Sequence, residues 1–132
     1  MPITRRTAVT ALATLPSVVA QAMAANQEGS PMYGLIGKIR CVPGKRDALA
    51  AILTRATGAM PGCLSYIVAK DAADADALWV SEVWDSPASH KASLSLPAVQ
   101  AAIAEGRSMI AGFAERVETE PLGGVGLPRP AG

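Results

Sequence analysis

One histidine and two cysteines are all the imidazole and thiol groups that this sequence of 132 residues offers a metal ion. Cys41, Cys63 and His90 fall short of the four ligands of a structural zinc site, so no metal is expected. There is no Gly-rich phosphate loop and no nucleophile elbow, which removes support for nucleotide-dependent and serine-hydrolase chemistry. Basic residues are not in excess, with 12 Lys and Arg against 11 Asp and Glu and a formal charge of +1. No block of them is interleaved with aromatics, so nucleic acid is not an expected partner. A long apolar run is missing too: Thr10, Thr14, Pro16, Ser17 and Gln21 interrupt a stretch that would need ~20 apolar residues to span a bilayer. No stable membrane anchor is expected.

What is present begins with a segment unlike the rest. Thr4-Arg5-Arg6-Thr7 precedes the apolar but Thr-dotted stretch 8–20, and Ala22-Met23-Ala24 gives a small-x-small cleavage pattern before polar Asn26-Gln27-Glu28. That order is the order of a signal peptide over residues 1–25. The paired arginines and modest hydrophobicity resemble the twin-arginine (Tat) type, which implies a periplasmic or secreted protein. An uncleaved amphipathic N-terminal helix is the competing reading. The remainder, half apolar in composition and 17% charged overall, is enough for one domain, over residues 32–120.

Periodicity and punctuation order that domain. The β-rich run Tyr33 to Val42 stops at Pro43-Gly44, a turn signal. From Lys45 to Ala59, the apolar positions Ala48, Leu49, Ile52, Leu53 and Ala56 recur at helical spacing, and Met60-Pro61-Gly62 follows as a stop. Two strands, Cys63–Lys70 and Leu78–Trp84, flank a polar turn and read as a hairpin. Ser86-Pro87 opens a short helix through Leu94, and Ser95 is placed to cap a second one over Ala98–Glu105, with Gly106 to end it. Residues 110–119 alternate loosely as a fourth strand before an irregular Gly- and Pro-rich tail, 121–132. The order βαββαβ predicts an α+β, ferredoxin-like antiparallel sheet with both helices on one face. Cys41 and Cys63 then lie at opposite ends of the sheet and are expected as unpaired thiols.

The third strand places Leu78, Val80 and Trp84 on one side, and Trp79 and Val83 on the other. Helices cover only one side, so the second apolar face predicts a homodimer.

Three segments carry a family resemblance: Pro61-Gly62-Cys63-Leu64-Ser65-Tyr66, Glu82-Val83-Trp84-Asp85-Ser86 and Ser95-Leu96-Pro97-Ala98-Val99-Gln100. They resemble the antibiotic biosynthesis monooxygenase family, including its quinol monooxygenase-like members. The resemblance implies a dimeric α+β barrel with a pocket between sheet and helices. It further implies oxidation of a quinol or other small aromatic phenol by O2, with no cofactor. Departures matter here. Family members often carry histidines where this chain has Ser93 and Ala98. The haem-degrading branch needs an axial histidine about where Ile103 stands, so haem degradation is disfavoured.

Cofactor-free oxygenation asks for a base, a hydrogen-bond donor and apolar walls. His90 is the candidate base, since an unperturbed imidazole titrates near neutrality at about 6.5. A solvated histidine on a helix surface is the competing reading. Trp84 offers an apolar wall and an indole donor, against plain core packing. Tyr66 is a candidate donor to a substrate oxygen. Met109 and Phe113 are candidate cavity walls or packing residues. Glu82, in an otherwise apolar strand, is either a second acid/base group or the partner of Arg40 or Arg116 across a dimer. Two other functions fit the same residues: a non-catalytic ligand-binding dimer, and a cofactor-free isomerase or decarboxylase.

Overall fold

The computed structural model describes residues 31–55 and 58–128. The expected signal segment, 1–25, lies outside them. The elements run β1 (Tyr33–Cys41), α1 (Arg46–Arg55), β2 (Cys63–Lys70), β3 (Ala77–Trp84), α2 (Pro87–Ser93), α3 (Pro97–Gly106), a 3-10 turn (Arg107–Met109) and β4 (Ile110–Thr119). The four strands form one antiparallel sheet in the order β2-β3-β1-β4. This is the ferredoxin-like α+β fold.

The side chains of one sheet face meet the helices. Ile39 and Cys41 of β1 and Leu78 and Val80 of β3 pack with Leu49 of α1 into the core. Leu49 and Leu78 are fully buried, each removing about 1.5–3 kcal/mol worth of apolar surface from water. The opposite face carries a row that crosses the whole sheet, because Ile67 pairs with Ser81, Ser81 with Ile36 and Ile36 with Val117. Ile67, Ile36 and Val117 are all exposed. Beside that row, the Trp79 indole donates to Asp71 Oδ2 at 2.8 Å. Lys38 Nζ approaches the same oxygen at 3.5 Å. The Trp79 hydrogen bond is the main cause that holds the Asp71 carboxyl well below the usual carboxylate range.

Several local expectations are corrected. The first helix spans Arg46–Arg55 and does not reach Ala59, since Gly58 and Ala59 lie in a bend. Ser95 does not cap α3. Leu94, Ser95 and Leu96 donate backbone N–H groups to the carbonyls of Lys91, Ala92 and Ser93, so Ser95 is committed to a turn that prolongs α2. The N-cap of α3 is instead Leu96, with no side-chain hydrogen bond. Gly106 ends α3 with φ −81°, in ordinary right-handed backbone. Its role is packing, since a Cβ there would lie 2.9 Å from Leu49 Cδ1. Both cysteines are free, at opposite ends of the sheet, and burial pushes both thiols up.

Gly62 anchors the start of α2. Its φ of +83° belongs to the left-handed region, and a Cβ would lie 2.5 Å from Ser89 Oγ and 2.8 Å from Asp85 Oδ1. Its carbonyl accepts from the Asp85 N–H at 2.8 Å. Gly62→Ala is therefore expected to cost at least about 1–2 kcal/mol from the backbone alone, more with the clash, read as a lower urea midpoint.

Candidate functional site

A cavity of about 350 Å3 opens between the helix-covered sheet face and the three helices. Its walls are mainly apolar, from Leu49 and Leu53 of α1, Val99, Ala102 and Ile103 of α3, and Ile110 and Phe113 of β4. Polar groups are confined to Tyr66 on β2, Glu82 on β3, and His90 and Ser93 on α2. The cause is register: Tyr66 stands directly opposite Glu82 on neighbouring strands, and Trp84 is two residues further along the same face.

α2 brings His90 onto that corner. Ser86 caps it, its Oγ accepting from the Ser89 N–H at 3.2 Å, and Pro87 supplies a pre-set first turn. The His90 ring lies edge-on to Trp84, with centroids 5.5 Å apart, and 5.3 Å from the tilted ring of Tyr33. Its backbone is held from below by Ser93, only 4% exposed, whose Oγ donates to the His90 carbonyl at 2.6 Å.

Glu82 joins the corner electrostatically. Its Oε1 accepts from the Trp84 indole Nε1 at 3.0 Å and lies 4.0 Å from His90 Nε2. The side chains of Glu82 and His90 are only 15% and 17% exposed. At 4.0 Å the imidazole and carboxylate do not share a direct hydrogen bond, which leaves room for a bridging water or ligand hydroxyl. Burial pushes the Glu82 carboxyl up from its ordinary value of 4.5, opposed by the Trp84 indole and by the charges of His90 and Arg116. Tyr66 is pushed up to about 12, by burial first and then by Glu82 and Cys63. At neutral pH it stays a phenol and can only donate or accept a hydrogen bond, not act as an anion.

Because burial raises its carboxyl pKa, the folded chain binds the Glu82 proton more tightly than the unfolded chain does. That stability is fully present below about 4.5 and is lost as the pH rises through the raised value. Glu82→Gln cannot ionise. The urea-derived stability difference between the variant and the wild type is expected to move in the variant's favour between about pH 4 and pH 7.

Of the residues singled out by sequence, Tyr66, Glu82, Trp84, His90 and Phe113 line this one cavity. Met109 does not. It belongs to the 3-10 turn, packs against the core cluster and accepts from the Val42 N–H through its carbonyl. The Trp84 indole is already engaged by Glu82, so its donor serves the carboxylate. Within the chain, the neighbours of Glu82 are the Trp84 indole and the His90 imidazole. Arg40 projects from the other sheet face, and Arg116 Nη1 bonds Glu118 at 3.0 Å. Sequence reasoning missed Tyr33 and Ile110. The signal for Tyr33 was its pairing with Trp84 across β1 and β3, which brings both to one end of the sheet. Among the described residues, no cluster of three His, Cys, Asp or Glu side chains is arranged to hold a metal ion.

The family model for antibiotic biosynthesis monooxygenases matches residues 32–105. The chain belongs to the antibiotic biosynthesis monooxygenase family. The match ends within α3, so Ile110 and Phe113 lie beyond it. A protein from Chloroflexus aurantiacus J-10-fl, itself a proposed antibiotic biosynthesis monooxygenase, is 64% identical; 74% of this chain and 99% of that chain are covered, with a TM-score of 0.72. A proposed family member from Caulobacter crescentus CB15 shares the fold at 18% identity and a TM-score of 0.65, over 72% of this chain and 93% of that one. A Pseudomonas aeruginosa protein does so at 20% identity and 0.63, over 72% and 98%. No curated protein matches the chain.

Proposed function

We propose that this family member is a cofactor-independent monooxygenase that oxidises a quinol or other small aromatic phenol with O2. One observation carries the reading: the polar side of an apolar cavity combines a half-buried imidazole, a carboxylate 4.0 Å from it and a phenol that stays protonated. The volume, about 350 Å3, is at the low end of small-ligand pockets and suits one or two aromatic rings.

In this reading the ligand hydroxyl sits against His90, which accepts its proton. The Glu82 carboxylate, held by the Trp84 indole, stabilises the imidazolium that results. Tyr66 donates to the ligand oxygen as negative charge develops on it. The electron-rich anion reacts with O2 directly; one oxygen atom enters the ring and the other leaves as water, so a hydroquinone gives a hydroxyquinone. Both the electrons and the protons come from the substrate, and no external reductant is needed.

The test is O2 uptake by the full chain, freed of metal and flavin, with a panel of hydroquinones and naphthols against enzyme-free autoxidation. Uptake well above the blank, with one oxygen atom of labelled O2 in the product, is the expected result. Binding without uptake would leave a non-catalytic module, and substrate loss under argon an isomerase or decarboxylase.

The assembly in this reading is a homodimer through the sheet face that carries Ile67, Ile36 and Val117. Ile67→Asp, on an exposed position, is expected to shift the sedimentation of the chain from dimer to monomer without unfolding it.

A further inference from the structure

The polar groups of the cavity share its lining with a run of apolar side chains from α3 and β4. Beside it, past Ile103 and Phe113, lies a groove of about 380 Å3 between the end of α3 and the first half of β4. Ile103, Ile110 and Phe113 line both spaces, so the groove adjoins the cavity across these three side chains. Two large apolar side chains of its lining stand in water: Ile103 is 44% exposed and Phe113 74%.

The shape of β4 produces this groove. Its pairing with β1 shifts between Lys38 and Ile39 and again between Arg40 and Cys41, so that Ile39 faces Phe113 and Cys41 faces Ile110. Bulges of this kind re-aim side chains. Here they turn both Ile110 and Phe113, three residues apart, toward the helices. Among the residues lining the groove only Arg107 is charged, and none is a carboxylate.

We propose that the ligand is a phenol or quinol bearing a hydrocarbon chain, with its head against Tyr66, Glu82 and His90 and its chain leaving past Phe113 along the groove. The inference rests on the cavity being the site of a phenolic ligand. A ring with one hydroxyl in the polar corner directs a chain on its far edge away from that corner, toward the groove. A polar chain reaching into the groove would lose its hydration against Ile103, Ile110 and Phe113 with nothing to replace it. A hydrocarbon chain instead covers side chains that are otherwise wet, and each methylene buried tightens binding by about two- to fourfold.

The test is calorimetric titration of the full chain, under argon, with para-alkylphenols of increasing chain length. Affinity is expected to climb about two- to fourfold per methylene and then level off once the groove is filled. In Ala111→Asp, which puts a carboxylate in the groove at a position outside the cavity, this slope flattens. Phe113→Ser flattens it as well, and the exposure of both positions keeps the fold intact, as circular dichroism would verify. A flat slope in the wild type, as when a second copy of the chain covers the groove, overturns the proposal. So does a steep slope that both variants retain. Turnover does not enter this measurement: a slope without O2 uptake on hydroquinones sinks the oxygenase reading alone, and uptake with a flat slope sinks the chain-binding proposal alone.

Discussion

His90→Ala is expected to slow substrate-dependent O2 uptake by about 10²–10⁴-fold, the usual contribution of a positioned general base. The imidazole is the one side chain in the cavity able to take a phenol proton near neutrality without being an anion beforehand. Tyr66, pushed up to about 12, is already protonated, and Glu82 is engaged by the Trp84 indole. Removing the imidazole also strips Glu82 of a neighbour that favours its charged form, so the Glu82 carboxyl moves further up. Added imidazole, small enough to enter the vacated space, is expected to restore part of the rate. A loss of rate caused by misfolding would not respond to it. Uptake unchanged by the substitution would retain the activity and remove His90 from it.

Trp84→Ala is expected to carry the largest stability loss, about 3–5 kcal/mol, a large share of the 5–15 kcal/mol that holds a typical domain folded. Trp84 is 1% exposed and among the largest fully buried side chains. Its removal opens a void beside His90 and deprives the buried Glu82 carboxylate of its donor. Trp84→Phe loses the indole N–H but only part of the ring volume. A cost of at least about 1.5–3 kcal/mol is expected, the range for a hydrogen bond to a charged group, with the smaller ring adding to it. Urea unfolding of the two variants beside the wild type measures both. Equal losses would mean that the indole bond, not the volume, dominates.

The framework was readable because turn chemistry brackets its strands. Pro61-Gly62 and the polar turn after Lys70 delimit β2, which spans Cys63–Lys70 in sequence and structure alike. Ser86-Pro87 likewise announces the start of α2, and with it the position of His90. Glu82 stood out as a carboxylate in an apolar strand, and the structure gives the reason for its tolerance there: an indole donor and an imidazole on the same face.

What escaped the sequence depends on distant pairings and on irregular ones. Tyr33 reaches His90 only because β1 runs antiparallel to β3 with Tyr33 opposite Trp84, a contact between residues far apart in the chain. Strict alternation along β4 counts back from Phe113 to residues 111 and 109. The two register shifts break that count, so Ile110 takes the cavity wall and Met109 falls into the core-facing turn. Ser95 misled for a similar reason. A serine before a proline looks like a cap, but its backbone was already claimed by the turns that extend α2.

The central claim is that the corner formed by His90, Glu82 and Tyr66 ionises a bound phenol. It is tested most directly by the absorption spectrum of a naphthol bound to the full chain under argon, at a pH where the free naphthol is neutral. The naphtholate band is expected with the wild type and its loss with His90→Ala. A bound naphthol that stays neutral in the wild type, or ionises equally in both, would contradict the account.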